Sequence, residues 1–269
     1  MLPLSGKSFP STSKRLVSAI KRGFAEQGVM ARSVEAEGGS FPKIESLSVD
    51  LSNASVTRDI DIPSMDPASG GGGIEAEKFE LRAEPLYMEK AAFEIRVQAS
   101  HAVFEYTGKP KSGALVLKDA KEGSISIAAA MPDLEALMHR LAVEAAEKHG
   151  VEVRQTSLEL ESRGPRALTF RATATAKMFI MTATLTLSGQ VDVDADLNAR
   201  FSDLTLSGDG MITKMASGFL RPRLDKLEQQ PIPLLAFSLG DIRLRDIQVS
   251  TGTRFLIHAV FGSQPEAGK

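Results

Sequence analysis

The chain has no cysteine and no tryptophan, and only two of its 269 residues are tyrosine. The missing cysteines remove disulfides, thiol nucleophiles and thiolate metal sites, and leave the redox compartment open. With aromatic hydroxyls only at Tyr87 and Tyr106, no platform for stacking bases or sugars is expected. An excess of one charge is missing too: 32 Lys and Arg against 34 Asp and Glu leave a net charge of −2. That balance gives no global electrostatic case for nucleic acid. No apolar run approaches the roughly 18–20 residues that a membrane-spanning helix needs.

Patterns of catalysis are equally scarce. His101, His139, His149 and His258 are scattered, with no pair at metal-ligand spacing. There is no Gly-x-Ser-x-Gly elbow and no Gly-x-Gly-x-x-Gly turn. Gly70 to Gly73 is followed by alternating residues and lacks the Lys-Ser/Thr pair of a phosphate cradle, so it reads as a flexible surface loop. Asp192, Asp194 and Asp196 alternate and share one strand face. Same-face positions about 6–7 Å apart are wide for one calcium ion, and a solvated sheet face is the expected role. No catalytic residue, metal ligand or cofactor is expected.

What the chain does have is hydrophobic periodicity. From Gln190 to Phe201 apolar and polar residues alternate, the pattern of a strand with one dry and one wet face. After Gly208-Asp209-Gly210, Ile212, Met215, Phe219, Leu224 and Leu227 fall at helical spacing. Pro231 and Pro233 end that helix, Pro222 inside it predicts a kink or early break, and period two returns over Leu235–Leu239, Ile242–Leu244, Ile247–Val249 and Phe255–Ala259. Residues 41–131 read as a series of strands joined by short turns, an antiparallel meander. Pro132 to Gly150 is a second helix, with Asp133 at its start and Gly150 as its left-handed stop. Two further alternations follow, Leu168–Lys177 and Phe179–Leu187. They exceed the usual strand of about 5–6 residues and predict elongated, strongly curved strands, bent near Lys177-Met178. The segments 123–187 and 189–261 both run strand, helix, strands, the layout of an internal repeat.

The first 33 residues differ from the rest. Lys7, Lys14, Arg15, Lys21, Arg22 and Arg32 face only Glu26, and Leu16, Val17, Ile20 and Phe24 share one side of a helix that Gly28 stops. Three readings stand: a basic amphipathic helix on an anionic membrane, carried by Lys14, Arg15, Lys21 and Arg22; a removable organelle transit peptide; or an ordinary first helix packed on the domain. No secretory h-region and no transmembrane helix is visible, so the chain is expected to be peripheral to a membrane in an undetermined compartment.

One resemblance joins these patterns. The order strand, helix, Pro231-Ile232-Pro233-Leu234, strand with a Gly240-Asp241 turn, and strand ending in Phe261-Gly262 resembles the C-terminal part of the bacterial LmeA-like proteins, a family assigned to the tubular lipid-binding (TULIP) superfamily. The likeness extends back through Gly123–Gly150, where Met131-Pro132-Asp133-Leu134 opens a helix, and is loose before residue 120. The resemblance implies an α+β fold in which long, strongly curved antiparallel sheets wrap around apolar helices, a TULIP-like domain over residues 34–264. It also implies a non-enzymatic role, binding or transferring phospholipid or a similar apolar molecule in a groove, with no nucleic acid as partner. Most LmeA-like proteins carry an export signal or anchor, which this sequence does not show. The residues expected to line the groove are Phe179, Met181, Leu185, Met211, Met215, Phe219, Phe237 and Phe255; the methionines suit a pliable apolar site. The alternative is a structural or protein-interaction domain whose apolar faces are filled by side chains, since a filled core and a tunnel demand the same inward residues.

Overall fold

The computed structural model describes residues 1–6, 8–56, 72–109, 112–147, 150–178, 181–195, 197–233 and 244–263; the side chains of 108, 109, 112, 178, 211, 212, 215, 216, 219 and 233 are outside that description. The described residues form an α+β protein dominated by two open, largely antiparallel sheets, with three helices. Backbone contacts divide the chain into two compact units. Unit 1 is Met1–Ile127 with Phe237–Asp246 and His258–Lys269, and unit 2 is Ala128–Ala236 with Ile247–Ile257.

Unit 1 begins with β1 (Leu2–Leu4), α1 (Ser13–Glu26), β2 (Ser33–Glu37), β3 (Lys43–Asp50) and β4 (Ser55–Val56). The long strands β5 (Gly73–Met88) and β6 (Ala91–Lys109) follow, then β7 (Ser112–Asp119) and β8 (Glu122–Ala130). The large sheet is completed by β14 (Leu244–Ser250) and β15 (Arg254–Phe261), in the order β14-β15-β8-β6-β5-β3-β2, with β7 paired to β6 and β1. The division between units falls inside β8, β14 and β15.

The ends of α1 follow from local chemistry. The Thr12 hydroxyl accepts the Arg15 amide at 3.3 Å, satisfying one of the donors a helix start leaves free. At the other end Gly28 adopts φ 77°, a left-handed stop that glycine enters without steric cost. Its N–H reaches Ala25 O at 3.0 Å, and the Val29 N–H reaches Phe24 O at 2.9 Å. The apolar side of α1 sinks into a continuous core: Leu16 and Ile20 are 0 % exposed, and Phe24 is buried with Leu2, Leu47, Val49 and Phe104. A Cβ at Gly23 would run into the Pro3 carbonyl, so this glycine lets α1 lie directly on β1. Phe79 meets Phe104 edge to face at 5.0 Å, a favoured aromatic geometry.

The strands of residues 41–131 are not a pure meander. β3 runs parallel to β5, with Lys43 opposite Glu75 and Asp50 opposite Arg82, and β4 is parallel to β5 as well. Alternation marks which face a strand buries, not its direction, so the parallel pair left no trace in the pattern. Of the expected loop Gly70–Gly73, the first two glycines lie outside the described residues; Gly73 opens β5, and a Cβ on Gly72 would crowd the Phe9 ring. Asp50 ties the parallel pair together, accepting the Ser52 amide at 2.8 Å and Arg82 Nη2 at 2.8 Å. Burial alone would raise its carboxyl, but the hydrogen bonds from Ser52 and Arg82 carry it down to about 2.

Unit 2 contains α2 (Met131–Glu147), β9 (Glu152–Gly164), β10 (Ala167–Met178), β11 (Met181–Val193), β12 (Asn198–Gly208), α3 (Gly210–Gln229) and β13 (Ile232–Pro233), and its sheet runs β13-β12-β11-β10-β9. Gly150 closes α2 at φ 67°, its N–H on Glu147 O at 3.0 Å and that of Val151 on Ala146 O at 3.2 Å. α3 runs without a break through Pro222, where the ring leaves the Gly218 carbonyl without its usual helical donor.

The strands of unit 2 are long, as their alternation predicts, and they fold back on one another as hairpins. The expected single strand Gln190–Phe201 is a hairpin: β11 ends at Val193 and β12 starts at Asn198. Asp194 makes the turn. Its carboxylate accepts the Asn198 amide at 2.9 Å and Arg200 Nε at 3.1 Å, and its carbonyl takes the Leu197 N–H at 3.1 Å. Asp192 therefore lies on β11 and Asp194 in the turn, while Asp196 is outside the described residues. β10 and β11 are likewise antiparallel partners, with Met178 opposite Met181, in place of one strand bent near Lys177.

Candidate functional site

Register separates the sheet of unit 2 into two chemically distinct faces. Leu160, Phe170 and Gly189 are cross-strand partners, and Leu158, Ala172, Leu187 and Leu206 form the next row. Ala174 lies opposite Leu185, and Leu168 opposite Val191. Successive strand residues point to opposite faces, so all of these share one face, apolar from β10 to β12, with Thr156 and Ser162 beside Leu158 and Leu160 on β9. The intervening rows are polar: Glu161, Thr169 and Gln190; Glu159, Arg171, Ser188 and Thr205; Ser157, Thr173, Thr186 and Ser207. Hydroxyls meet across the strands there, Ser157 with Thr173 and Thr175 with Thr184.

The apolar face is only partly covered. Leu158, Leu160, Phe170, Leu185, Leu187 and Leu206 are all half-buried, whereas Ala176, Ala199 and Leu204 are buried. Leu185 packs with Val151 and Ala183 against Ala176. Small residues on the central hairpin leave room: a Cβ on Gly189 would lie 3.1 Å from the Phe170 ring and 2.5 Å from Leu204 Cδ2, so the absent side chain is replaced by those two neighbours. Leu204 comes inward beside a register shift opposite Gly189, where Asp203 takes φ 54°.

A helix stands beside each outer long strand, α2 against β9 and α3 against β12 and β11. Each is fixed by the same device. Glu135 Oε1 of α2 accepts the Leu158 amide of β9 at 3.0 Å, and Glu228 Oε1 of α3 accepts the Leu204 amide of β12 at 2.7 Å. These amides face away from the sheet, so the carboxylates satisfy donors that an edge strand would leave open. β9 has a second such contact, the Ser162 amide on Thr251 Oγ1 at 2.8 Å. Although α2 carries Leu134, Leu137, Met138 and Leu141, none of its residues is buried, and Leu141 is 55 % exposed.

Beside the polar rows lies a concavity of about 420 Å³, lined by Glu159, Glu161, Thr169, Arg171 and Asp203 together with Leu160 and Phe170. Gln190 Nε2 donates to Asp203 Oδ2 at 2.6 Å across its floor.

Of the residues expected to line a groove, Met181 and Leu185 share the apolar face of β11, Leu185 half-buried and Met181 36 % exposed. Phe255 is half-buried on β15. Met211, Met215 and Phe219 lie on α3, beside β11 and β12, with their side chains outside the described set; Phe179 and Phe237 lie outside the described residues altogether. Lys14, Arg15, Lys21 and Arg22 are all exposed on α1, whose apolar side is in the core of unit 1. The sequence reading missed the two glutamate contacts, and no spacing rule marks a helical glutamate that meets a strand amide. It also missed the concavity, since the rows beside it are assembled by cross-strand register.

Among the described residues no group of three His, Asp or Glu is arranged to hold a metal ion, and no helix is long and apolar enough to cross a membrane. Compared with known proteins, the chain matches no family model, no curated protein and no solved structure.

Proposed function

We propose that this protein binds or transfers lipids or similarly apolar molecules without catalysis, and that unit 2 carries them on the apolar face of β9–β12. In this reading the long strands curve around the helices as in the tubular lipid-binding proteins that the sequence resembles. The observation that carries it is the half-exposure of that face. Leucines and Phe170 line four adjacent strands, and the α2 beside them buries no residue. An acyl chain laid there gains about 0.8 kcal/mol for each CH₂ removed from water, without any specific polar contact. The helices α2 and α3 supply the flanks, and a carboxylate-to-amide bond joins each to its strand.

The alternative, an interaction domain with a filled core, is favoured by unit 1, where Leu16, Ile20, Val49 and Leu115 are fully enclosed. The two readings divide between the units: unit 1 supplies rigidity and unit 2 the binding face.

Native mass spectrometry of the purified chain followed by lipid extraction tests the proposal. The wild type is expected to retain a lipid. Ala172→Trp, which fills the middle of the apolar face, should reduce retention at least tenfold while circular dichroism stays unchanged. A wild type that never retains lipid, or an Ala172→Trp chain that retains as much, removes the carrier reading and leaves the interaction domain.

A further inference from the structure

We infer that the outer face of α1 is a docking surface for an anionic membrane, acting by charge alone and not by insertion. An amphipathic helix that lies in a membrane interface must bury its apolar face among the acyl chains. In α1 that face is already used: Leu16 and Ile20 are fully enclosed, and Phe24 is buried beside them in the core of unit 1. What the helix presents outward is Lys14, Arg15, Ser18, Lys21 and Arg22, all exposed. These positions follow the helical period, so the four cations form one stripe on a rigidly seated element.

Arg15 Nη1 donates to Ser11 Oγ at 3.1 Å and Arg22 Nε to the Ser18 carbonyl at 3.3 Å, exposed local bonds to neutral acceptors that leave the charges of the stripe unneutralised. Lys14 and Arg15 occupy the first turn, where the positive end of the helix dipole disfavours cations, and no acidic residue stands there to offset them. Among the described residues none of the four is in an ion pair, whereas elsewhere Lys43 meets Glu75, Arg96 meets Glu84 and Lys118 meets Glu105. The only acid of α1, Glu26, accepts a hydrogen bond from Ser5. Glu35 and Glu37 on the adjacent β2 form no ion pair with the stripe. In a chain of net charge −2, four cations segregated on one face are complementary to a surface of negative charge. A bilayer is the occupant that fits, because a straight stripe backed by a sheet suits a broad anionic plane. Reading nucleic-acid bases would call for stacking side chains, and the exposed positions of α1 supply none.

This surface belongs to unit 1 and stands apart from the carrier reading. The test is co-sedimentation of the full chain with phosphatidylcholine vesicles containing phosphatidylglycerol, beside pure phosphatidylcholine vesicles and duplex DNA. Each cation near an anionic surface is worth about fivefold in partition, so replacing all four should weaken binding by roughly 600-fold. The substitutions are Lys14→Gln, Arg15→Gln, Lys21→Gln and Arg22→Gln, at exposed positions where glutamine keeps the helix, and an unchanged melting curve confirms the fold. The wild type should bind only the phosphatidylglycerol vesicles and should be released as salt rises from about 0.1 to about 0.5 M. Equal binding by the four-fold variant, equal binding to neutral vesicles, or binding to DNA with the vesicles ignored would each overturn the inference. A chain that binds anionic vesicles yet retains no lipid keeps this surface and removes the carrier.

Discussion

α1 and α2 carry comparable apolar stripes, yet α1 buries Leu16, Ala19, Ile20 and Phe24 while α2 buries none of its 17 residues. The sheets behind them differ in the same sense. Val49 and Leu115 in unit 1 are enclosed, whereas Leu158, Phe170 and Leu187 in unit 2 are half-open. Periodicity states which side of an element is apolar, but coverage depends on what packs across from it. In unit 1 a glycine lets helix and strand touch; in unit 2 each helix stands beside an outer strand, and α2 buries none of its residues there. An enclosed core maximises stability, and a half-covered one keeps apolar surface available for a guest.

The sharpest way to break this contrast is a matched pair of truncations. Ile20→Ala should cost about 2–5 kcal/mol, because it opens a cavity in a closed core. Leu137→Ala on α2 should cost about 1 kcal/mol or less, as expected for a half-exposed site. Urea melts of the two variants giving equal losses would mean that the units are packed alike.

A smaller effect tests what makes unit 1 rigid. Asp50→Asn is expected to cost about 1.5–3 kcal/mol, the worth of hydrogen bonds to a charged group, because the charged acceptor shared by Ser52 and Arg82 is lost. The sign with pH follows from the depressed carboxyl. Its ordinary value is 3.8 and the fold holds it at about 2, so its contribution is complete above about pH 4 and disappears as pH falls through about 2. Thermal melts over that interval should show an acid-dependent loss in the wild type that the Asn variant lacks; parallel curves would assign the acid sensitivity elsewhere.

The smallest change concerns the attachments in unit 2. Glu135→Ala removes the acceptor of the Leu158 amide and should cost about 1 kcal/mol. Hydrogen exchange at Leu158 should quicken about fivefold while exchange at Val49 is unaffected. Unaltered exchange at Leu158 would mean that α2 is held by contacts other than this bond.

Much of the fold was legible in the sequence because its signals are local. Thr12 and Gly28 bracket α1, Gly150 stops α2, Pro231 follows α3, and the alternation of residues 168–177 marks β10. What stayed hidden is non-local or carried by side chains that do not disturb the period. Asp194 turns the chain by accepting the Asn198 amide while the apolar rhythm passes through it, so one long strand was read where there are two. The parallel direction of β3 and β5 follows from a connection that alternation does not encode. For the candidate site, the pattern placed Met181 and Leu185 on an apolar face, and it could not distinguish a face that is covered from one left half-open.

The glutamate that seats α2 has a second effect. β9 is the outermost strand of its sheet, and α2 stands along it. Whatever lifts that helix uncovers the Leu158 amide on the outer edge of β9, and an edge strand presents a row of unpaired backbone groups. Such a row is a template for another strand. Under the proposed carrier function, admission of a guest and the hazard of self-association would be governed by the same helix.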